Sequence, residues 1–218
     1  MALNINGTTG ISGVDGSISA PALTGTDSNT GITFPSADTI KFSTGGVERI
    51  SITNSGISGT GIGSGGKFAS YAIICDQKAT NYAGGSSSAG AFNTRDLNTE
   101  LSDPDSIVSI SSNQFTLQAG SYLIKASAPA HGAARHQIII WNATDSSIVA
   151  IGTSEYSNAS HTTTSRAFAT GRTTISGAKA FEIRHRVGTA QSGDGLGVES
   201  NFDTLATIYT VVEIYKES

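Results

Sequence analysis

The sequence predicts an all-β protein built from antiparallel strands. Short stretches that alternate apolar and polar residues recur from residue 68 onward, and Gly-rich or polar turns separate them. Only 14% of the 218 residues are charged, whereas 26 glycines and many Ser, Thr, Ala and Asn residues favour turns and short strands. No stretch combines a sustained helical period with capping residues. About eight strands at this spacing indicate an antiparallel sandwich or barrel.

Composition divides the chain into two regions. Residues 1–66 are crowded with Gly, Ser, Thr and Asn and carry only widely spaced apolar residues, so one copy cannot bury a core there. We interpret this slender region either as a flexible leader or as a thin β-structure that becomes stable when several copies associate. The glycines at residues 63–66 predict a hinge, and residues 67–218 form the predicted main domain.

Residues 38–63 favour the thin β-structure. An apolar strand, a tight turn at Gly45-Gly46 and a returning strand are predicted here, because apolar residues alternate on both sides of the turn. The alternating residues are Ile40, Phe42, Val47, Ile50 and Ile52. This pattern, with Glu48 and Arg49 in the second strand and SG and GIG after it, resembles a short hairpin module of phage tail-fibre and other virion proteins. The resemblance implies a trimeric assembly.

Residues 113–130 (NQFTLQAGSYLIKASAPA) predict a strand, a sharp turn and a second strand. Apolar residues such as Phe115 alternate with polar ones before the turn, and Tyr122 and Ile124 continue the alternation after it. Gly120 supplies the backbone freedom of a sharp reversal, so the two strands are expected to pair as an antiparallel hairpin. Tyr122 and Ile124 are expected to face the core.

The stretch AFEIRHRV predicts a strand with one solvated face. Phe181 and Ile183 point to one side, whereas Glu182 and Arg184 point to the other. An alternation of this kind is typical of a strand at the exterior of an antiparallel sheet.

Other predicted strands are apolar on both faces. In the stretch HQIIIWNA, Ile138 and Ile140 point to one side and Ile139 and Trp141 to the other, and the last strand is similar. A sandwich of two sheets buries only one face of each sheet, and the sequence offers no helix as a second cover. A partner subunit is therefore predicted to cover these faces. The predicted contacts are Ile139, Trp141, Ile208, Val212 and Ile214.

Residues 68–217 resemble the C1q/TNF-like jelly roll. The resemblance rests on the central pattern LxAGxYLIxAS and the terminal strand ATIYTVVEIYK, with Arg95, Asn98 and Thr99 upstream. It implies a compact homotrimer whose inner strands meet at a three-fold axis, and closely similar domains cap phage fibres.

No catalytic, metal or cofactor site is predicted. Metal binding at His131 and His136 would need further ligands at paired spacing, so both histidines are expected at a surface or an interface. His185 follows the apolar side of its strand and is expected in the core. Cys75 lies in an apolar run and is interpreted as a small buried hydrophobe. Asp103 is expected in a turn rather than in a calcium site.

Three aromatic residues in loop regions are candidates for a surface-binding site. Tyr82, Phe92 and Tyr156 each lie among short polar residues. Aromatic faces that pack on sugar rings, with polar side chains that bind hydroxyls, would form a carbohydrate-binding surface. Ordinary anchoring of the loops is the alternative interpretation for each of them.

Charge and hydropathy argue against two classes of partner. The net charge of −4 gives no indication of nucleic-acid binding, and no apolar run approaches membrane-spanning length. The first residues, MALNINGTTG, lack the basic start and the apolar core of a secretory signal. Neither nucleic acid nor membrane insertion is therefore expected.

These patterns and resemblances predict a non-enzymatic, homotrimeric virion structural protein of a tailed phage, made in the host cytoplasm. The N-terminal region would attach to another virion protein, and the jelly-roll head would contact a host surface, with a glycan as a candidate ligand. The alternative is a capsid decoration or cement protein that stabilises the head shell. A glycan-cleaving enzyme would need clustered acidic residues that the sequence lacks.

Overall fold

The computed structural model describes residues 4–6, 10–12, 15–60, 68–160 and 163–217. This part of the chain consists of strands, turns and irregular segments, and it contains no helix that could span a membrane. The chain divides into two compact units, Met1–Lys67 and Phe68–Ser218. The predicted hinge at residues 63–66 and His161 lie outside the described residues. The prediction of an all-β protein is confirmed.

The first unit consists of short strands. In chain order they are β1 (Asn4–Asn6), β2 (Gly10–Ser12), β3 (Gly16–Ser17), β4 (Ala20–Pro21), β5 (Leu23–Thr24), β6 (Gly31–Thr33), β7 (Ile40–Thr44), β8 (Val47–Thr53) and β9 (Gly56–Ser58). β1 pairs with β2 and β3 with β4, while the others form an antiparallel sheet in the order β5-β6-β7-β8-β9.

The hairpin predicted around Gly45-Gly46 is present as β7 and β8. Phe42 lies opposite Ile50, and Thr44 lies opposite Val47 at the turn. Gly45 and Gly46 have φ values of 59° and 72°. Two successive residues with positive φ match the twist of the flanking strands, and glycine adopts this conformation without a steric penalty.

The sheet of the first unit has an apolar face that the single chain leaves uncovered. Its buried residues are small and polar, namely Thr33, Ser43 and Ser51. Strand pairing brings the apolar side chains to the same face, and all of them are half-buried or exposed: Ile32, Ile40, Phe42, Ile50, Ile52 and Ile57. A thin β-structure that is stabilised by further copies would have this pattern.

The second unit contains the longer strands. They are β10 (Phe68–Lys78), β11 (Phe92–Thr94), β12 (Thr99–Ser102), β13 (Val108–Ser111), β14 (Gln114–Leu117), β15 (Gly120–His131), β16 (Ala134–Asn142), β17 (Ser147–Ser157), β18 (Thr164–Ile175), β19 (Lys179–Val187) and β20 (Thr207–Glu217).

These strands form an antiparallel jelly-roll sandwich, as predicted. Sheet I has the order β12-β10-β20-β15-β18, and sheet II has the order β13-β14-β19-β16-β17, with β11 also paired to β19. The consecutive strands β14 and β15 lie in different sheets, as do β17 and β18, and β19 and β20. The core between the sheets is formed by apolar side chains of both, including Ile74, Phe115, Ile124, Ile140 and Ile183.

The antiparallel hairpin predicted for residues 113–130 is wrong. β14 belongs to sheet II and β15 to sheet I, so the chain crosses from one sheet to the other near Gly120. The core assignment of Tyr122 and Ile124 is confirmed, because both are buried. The local pattern identifies two strands and a turn, but it does not specify which strands become their neighbours.

A β-bulge in β20 separates residues that the sequence grouped on one face. Two residues of β20, Tyr209 and Thr210, lie opposite the single residue Asp76 of β10. The extra residue interrupts the alternation of side chains along the strand. Ile208 is 40% exposed, whereas Val212 is fully buried.

Candidate assembly and ligand-binding surfaces

The five residues predicted for the trimer interface do not share one surface. Val212 and Ile214 are fully buried in the core of the single chain, so their side chains have no surface left for a partner. Ile139 is only 4% exposed. The interface prediction is wrong for these three residues, because neighbouring strands of the same chain already cover them. For Trp141 and Ile208 it stays a prediction.

The outer side of β19 is less solvated than its charged sequence indicates. Glu182 is only 5% exposed, and its carboxylate accepts a hydrogen bond from Nε of Arg184. The guanidinium carbon of Arg184 lies 4.2 Å from the centre of the Trp141 ring. A cation held over an aromatic face and paired with a carboxylate covers apolar surface that would otherwise face water.

Sheet I has an outer face that the single chain leaves largely uncovered. One row across the sheet joins Tyr71, Tyr215 and Leu123, and another joins Val211 to Phe168 through a serine. Tyr71 is 44% exposed and Phe168 is 53% exposed. We call these five residues the sheet I face. An apolar surface of this kind, in a chain with few charges, is typical of a protein–protein contact.

A polar row crosses the middle of the sheet I face. Lys125 and Glu213 form an ion pair with 3.4 Å between Nζ and Oε2. The hydroxyl of Tyr215 donates a hydrogen bond of 2.7 Å to the same carboxylate oxygen, and both interactions lower the pKa of Glu213. The charges of this row therefore neutralise one another, which makes the face easier to bury.

The three predicted surface aromatics are all exposed. Phe92 and Tyr156 lie on strands of sheet II and are 43% and 60% exposed. Tyr82 is 66% exposed and lies in the loop after β10, where its backbone carbonyl accepts a hydrogen bond from the Tyr209 hydroxyl. The structure thus places two of the candidates on strands of sheet II and the third in a loop.

Tyr156 lines an open groove of about 550 Å³ on sheet II, which we call the Tyr156 groove. Strand register places Tyr156 of β17 directly opposite Arg135 of β16. Gln137 of β16 lies between Ser154 on one side and Arg186 of β19 on the other. Polar and aromatic side chains from three strands therefore converge in one depression.

The groove carries more positive than negative charge. Arg135 has no hydrogen-bond or ion-pair partner for its side chain within the described part of the chain. Arg186 lies against Phe92, with 5.6 Å between the guanidinium carbon and the ring centre, and donates to the carbonyl of Gly90. Glu155 is the carboxylate in the lining. Sequence reasoning missed both arginines, because only the strand register reveals that they lie near Tyr156.

A buried pair of histidines lies beneath the groove. Nδ1 of His136 is 3.0 Å from Nε2 of His185, and Nε2 of His136 is 2.7 Å from the Ser165 hydroxyl of β18. The pair therefore connects sheet II to sheet I. Burial lowers the pKa of both imidazoles, that of His185 to about 2, and the charge of Arg95 acts in the same direction.

The environments of the histidines correct part of the sequence prediction. His185 is fully buried, so its predicted place in the core is confirmed. The surface or interface expected for His131 and His136 is wrong, because they are only 8% and 3% exposed. His131 instead hydrogen-bonds the Thr164 hydroxyl at 2.9 Å. No group of three or more His, Cys, Asp or Glu side chains suited to a metal occurs among the described residues.

Arg95 is a buried charged group, and it holds a loop against the sandwich. Its guanidinium donates to the Thr210 hydroxyl at 2.8 Å, to the Leu196 carbonyl at 2.6 Å and to the Pro129 carbonyl at 3.3 Å. Burial lowers the pKa of Arg95 to about 10, while the nearby Asp76 acts in the opposite direction. The side chain therefore stays protonated at neutral pH and links two sheet I strands to the segment before β20.

Two further predictions from the sequence are confirmed. Cys75 is fully buried in β10, as expected for a small apolar side chain. The carboxylate of Asp103 accepts backbone hydrogen bonds from Ile107 at 2.9 Å and Val108 at 3.0 Å. Asp103 therefore caps a turn, which is a structural role.

Comparisons with known proteins add little to this description. No protein-family model and no curated protein matches the sequence. Among solved structures, murine APRIL at pH 8.0 aligns with a TM-score of 0.44 and 9% identity over 67% of this chain and 98% of its own. The globular domain of zebrafish complement 1qA protein aligns with a TM-score of 0.41 and 11% identity over 66% of this chain and 94% of its own. The jelly-roll assignment rests on the strand order of this chain.

Proposed function

We propose that this chain is a non-enzymatic, homotrimeric structural protein of a phage particle, and that it projects from the particle to contact a host surface. The observation that carries the proposal is the sheet I face, where apolar side chains of four strands are left uncovered by the single chain. Another copy of the chain would bury this face.

The first unit supports the same assembly independently. Its sheet also has an uncovered apolar face, centred on Phe42 and Ile50. A partner that covers both the sheet I face and the apolar face of the first unit must itself offer two apolar surfaces. Another copy of the chain has two such surfaces. The number of three copies, and the place in a phage particle, come from the resemblances of residues 38–63 and 68–217.

The oligomeric state tests the assembly directly. Light scattering on the purified protein is expected to give three times the chain mass of 22.2 kDa. Phe168→Asp and Ile208→Asp are expected to give folded monomers, because a carboxylate at either exposed position must lose its water when a partner binds. Val212→Asp is expected to unfold the chain, because Val212 is fully buried in the core.

A matched control makes this test specific. Val198 is 42% exposed in a loop, close to the 40% of Ile208, so Val198→Asp is expected to leave the trimer unchanged. A wild-type monomer at micromolar concentration would refute the assembly. Labelling of particles with a specific antibody tests the location, and label on the head shell rather than on a projecting fibre would favour the cement protein instead.

A further inference from the structure

The Tyr156 groove lies at the end of the sandwich opposite to Phe68. Phe68 pairs with Glu217, the last residue of β20, which marks one end. β15 runs from that end to His131, and after a short turn β16 starts at the other end, where Tyr156 lies opposite Arg135. The groove therefore lies at the end of the sandwich opposite to the residue at which the second unit begins.

The charged groups of the groove suit an anionic ligand. Each guanidinium offers up to about five N–H donors in a planar fork that matches a carboxylate. Arg135 has no partner for any of them within the described residues, and Arg186 uses one donor on the Gly90 carbonyl. Phe92 supports the guanidinium of Arg186 from one side, which limits its freedom before a ligand binds.

The neutral groups of the groove suit a sugar ring. Nε2 of Gln137 donates to the Gly152 carbonyl at 2.8 Å and to the Ser154 hydroxyl at 3.3 Å, so the amide is held in place. Its oxygen accepts no hydrogen bond from the residues that the structure describes. The Ser154 hydroxyl accepts from Gln137 and can donate its own hydrogen. The exposed Tyr156 ring offers an apolar surface beside these groups, on which a sugar ring can pack.

We propose that the Tyr156 groove binds a carboxylated saccharide. Arg135 and Arg186 would hold the carboxylate, Gln137 and Ser154 would bind ring hydroxyls, and Tyr156 would pack on the ring. The volume of about 550 Å³ lies within the range of small-molecule sites. The proposal names the ligand of the adhesive surface and rests on the proposed function, since a trimer would present three such grooves and multiply a weak affinity into avidity.

Titration of the full chain with defined saccharides tests the site. The probes are a trisaccharide of galacturonic acid, a sialylated trisaccharide, a neutral galactose trisaccharide and a sulfated disaccharide, each followed by calorimetry or ligand-observed NMR. One or both carboxylated probes are expected to bind, and a comparison of their affinities shows whether a uronic or a sialic acid is preferred. The neutral and sulfated probes are expected to bind about tenfold more weakly or worse.

Variants locate the site in the groove. Arg135→Gln and Arg186→Gln are each expected to weaken binding of the carboxylated probe about tenfold or more, and Tyr156→Ala by a similar factor. Arg135→Lys keeps the charge but loses the planar fork, so an intermediate affinity is expected. Arg49→Gln removes the same charge from the first unit and is expected to leave the affinity unchanged.

The possible outcomes distinguish a failure of the proposed ligand site from a failure of the proposed assembly. A trimer that binds neither carboxylated probe overturns the ligand assignment and leaves the proposed function standing. Equal binding of the neutral probe, or binding of the sulfated probe alone, also overturns it. Binding that is insensitive to Arg135→Gln and Arg186→Gln places the ligand elsewhere. A monomer that binds the carboxylated probe refutes the assembly but not the site.

Discussion

Replacement of Arg95 by Met is expected to lower the free energy of unfolding by about 3–5 kcal/mol, because it leaves buried groups without partners. The guanidinium hydrogen-bonds the carbonyls of Pro129 and Leu196 and the hydroxyl of Thr210. Methionine fills a similar volume but offers none of these donors. Asp76 would also lose the positive charge that partly offsets its burial. Urea unfolding at a fixed protein concentration measures the loss.

An exposed arginine provides the control for this substitution. Arg172 pairs with Glu217 at the surface, and its side chain is 60% exposed. Arg172→Met is therefore expected to shift the urea midpoint far less than Arg95→Met. Limited proteolysis offers a second readout. Loss of the Arg95 contact with the Leu196 carbonyl is expected to expose the loop between β19 and β20 to cleavage. Equal urea midpoints for the two variants would refute the role assigned to Arg95.

Acidification is expected to destabilise the fold below about pH 6.5, because two histidines are held neutral in the core. Burial lowers the pKa of His136 and His185 from the ordinary value of 6.5, that of His185 to about 2. Below pH 6.5 the unfolded chain takes up protons at these imidazoles more readily than the folded chain, so stability falls as the pH falls. The loss is about 1.4 kcal/mol per pH unit for each histidine that stays neutral.

Thermal unfolding measured between pH 7 and pH 5 tests this dependence. The double variant His136→Gln, His185→Gln is expected to show a flatter dependence on pH, because neither glutamine titrates. Burial raises the pKa of Asp76, so the effect of its titration on stability has the opposite sign to that of the histidines. The comparison of slopes between wild type and double variant removes this common contribution. Identical slopes would show that the buried pair does not control the acid response.

The aromatic residues of the candidate site could be predicted from the sequence, whereas its arginines could not. Tyr156 and Phe92 could be chosen from the sequence because large aromatics among short polar residues stand out, and both are exposed in the fold. Arg135 and Arg186 are 51 residues apart in the chain and gave no such signal. They lie near each other because both border Gln137, a relation that exists only once β16 has paired with β19.

The error at the trimer interface has a similar cause. Ile208 and Val212 occupy equivalent positions in a regular alternation, so the sequence placed them on one face. The bulge at Tyr209 and Thr210 interrupts the alternation, so Ile208 becomes exposed while Val212 is buried. Because a bulge depends on how two strands pair, its position cannot be read from the alternation of one strand.

The sequence by itself determined the local elements of this protein: the β class, the Gly45-Gly46 hairpin, and the core positions of Tyr122 and Ile124. These features depend on neighbouring residues, through the alternation of side chains and the conformational freedom of glycine. Only the tertiary structure decided that residues 113–130 cross between two sheets, which side chains remain exposed, and how the Tyr156 groove is built. Those features depend on pairing between distant strands, which the local sequence pattern does not encode.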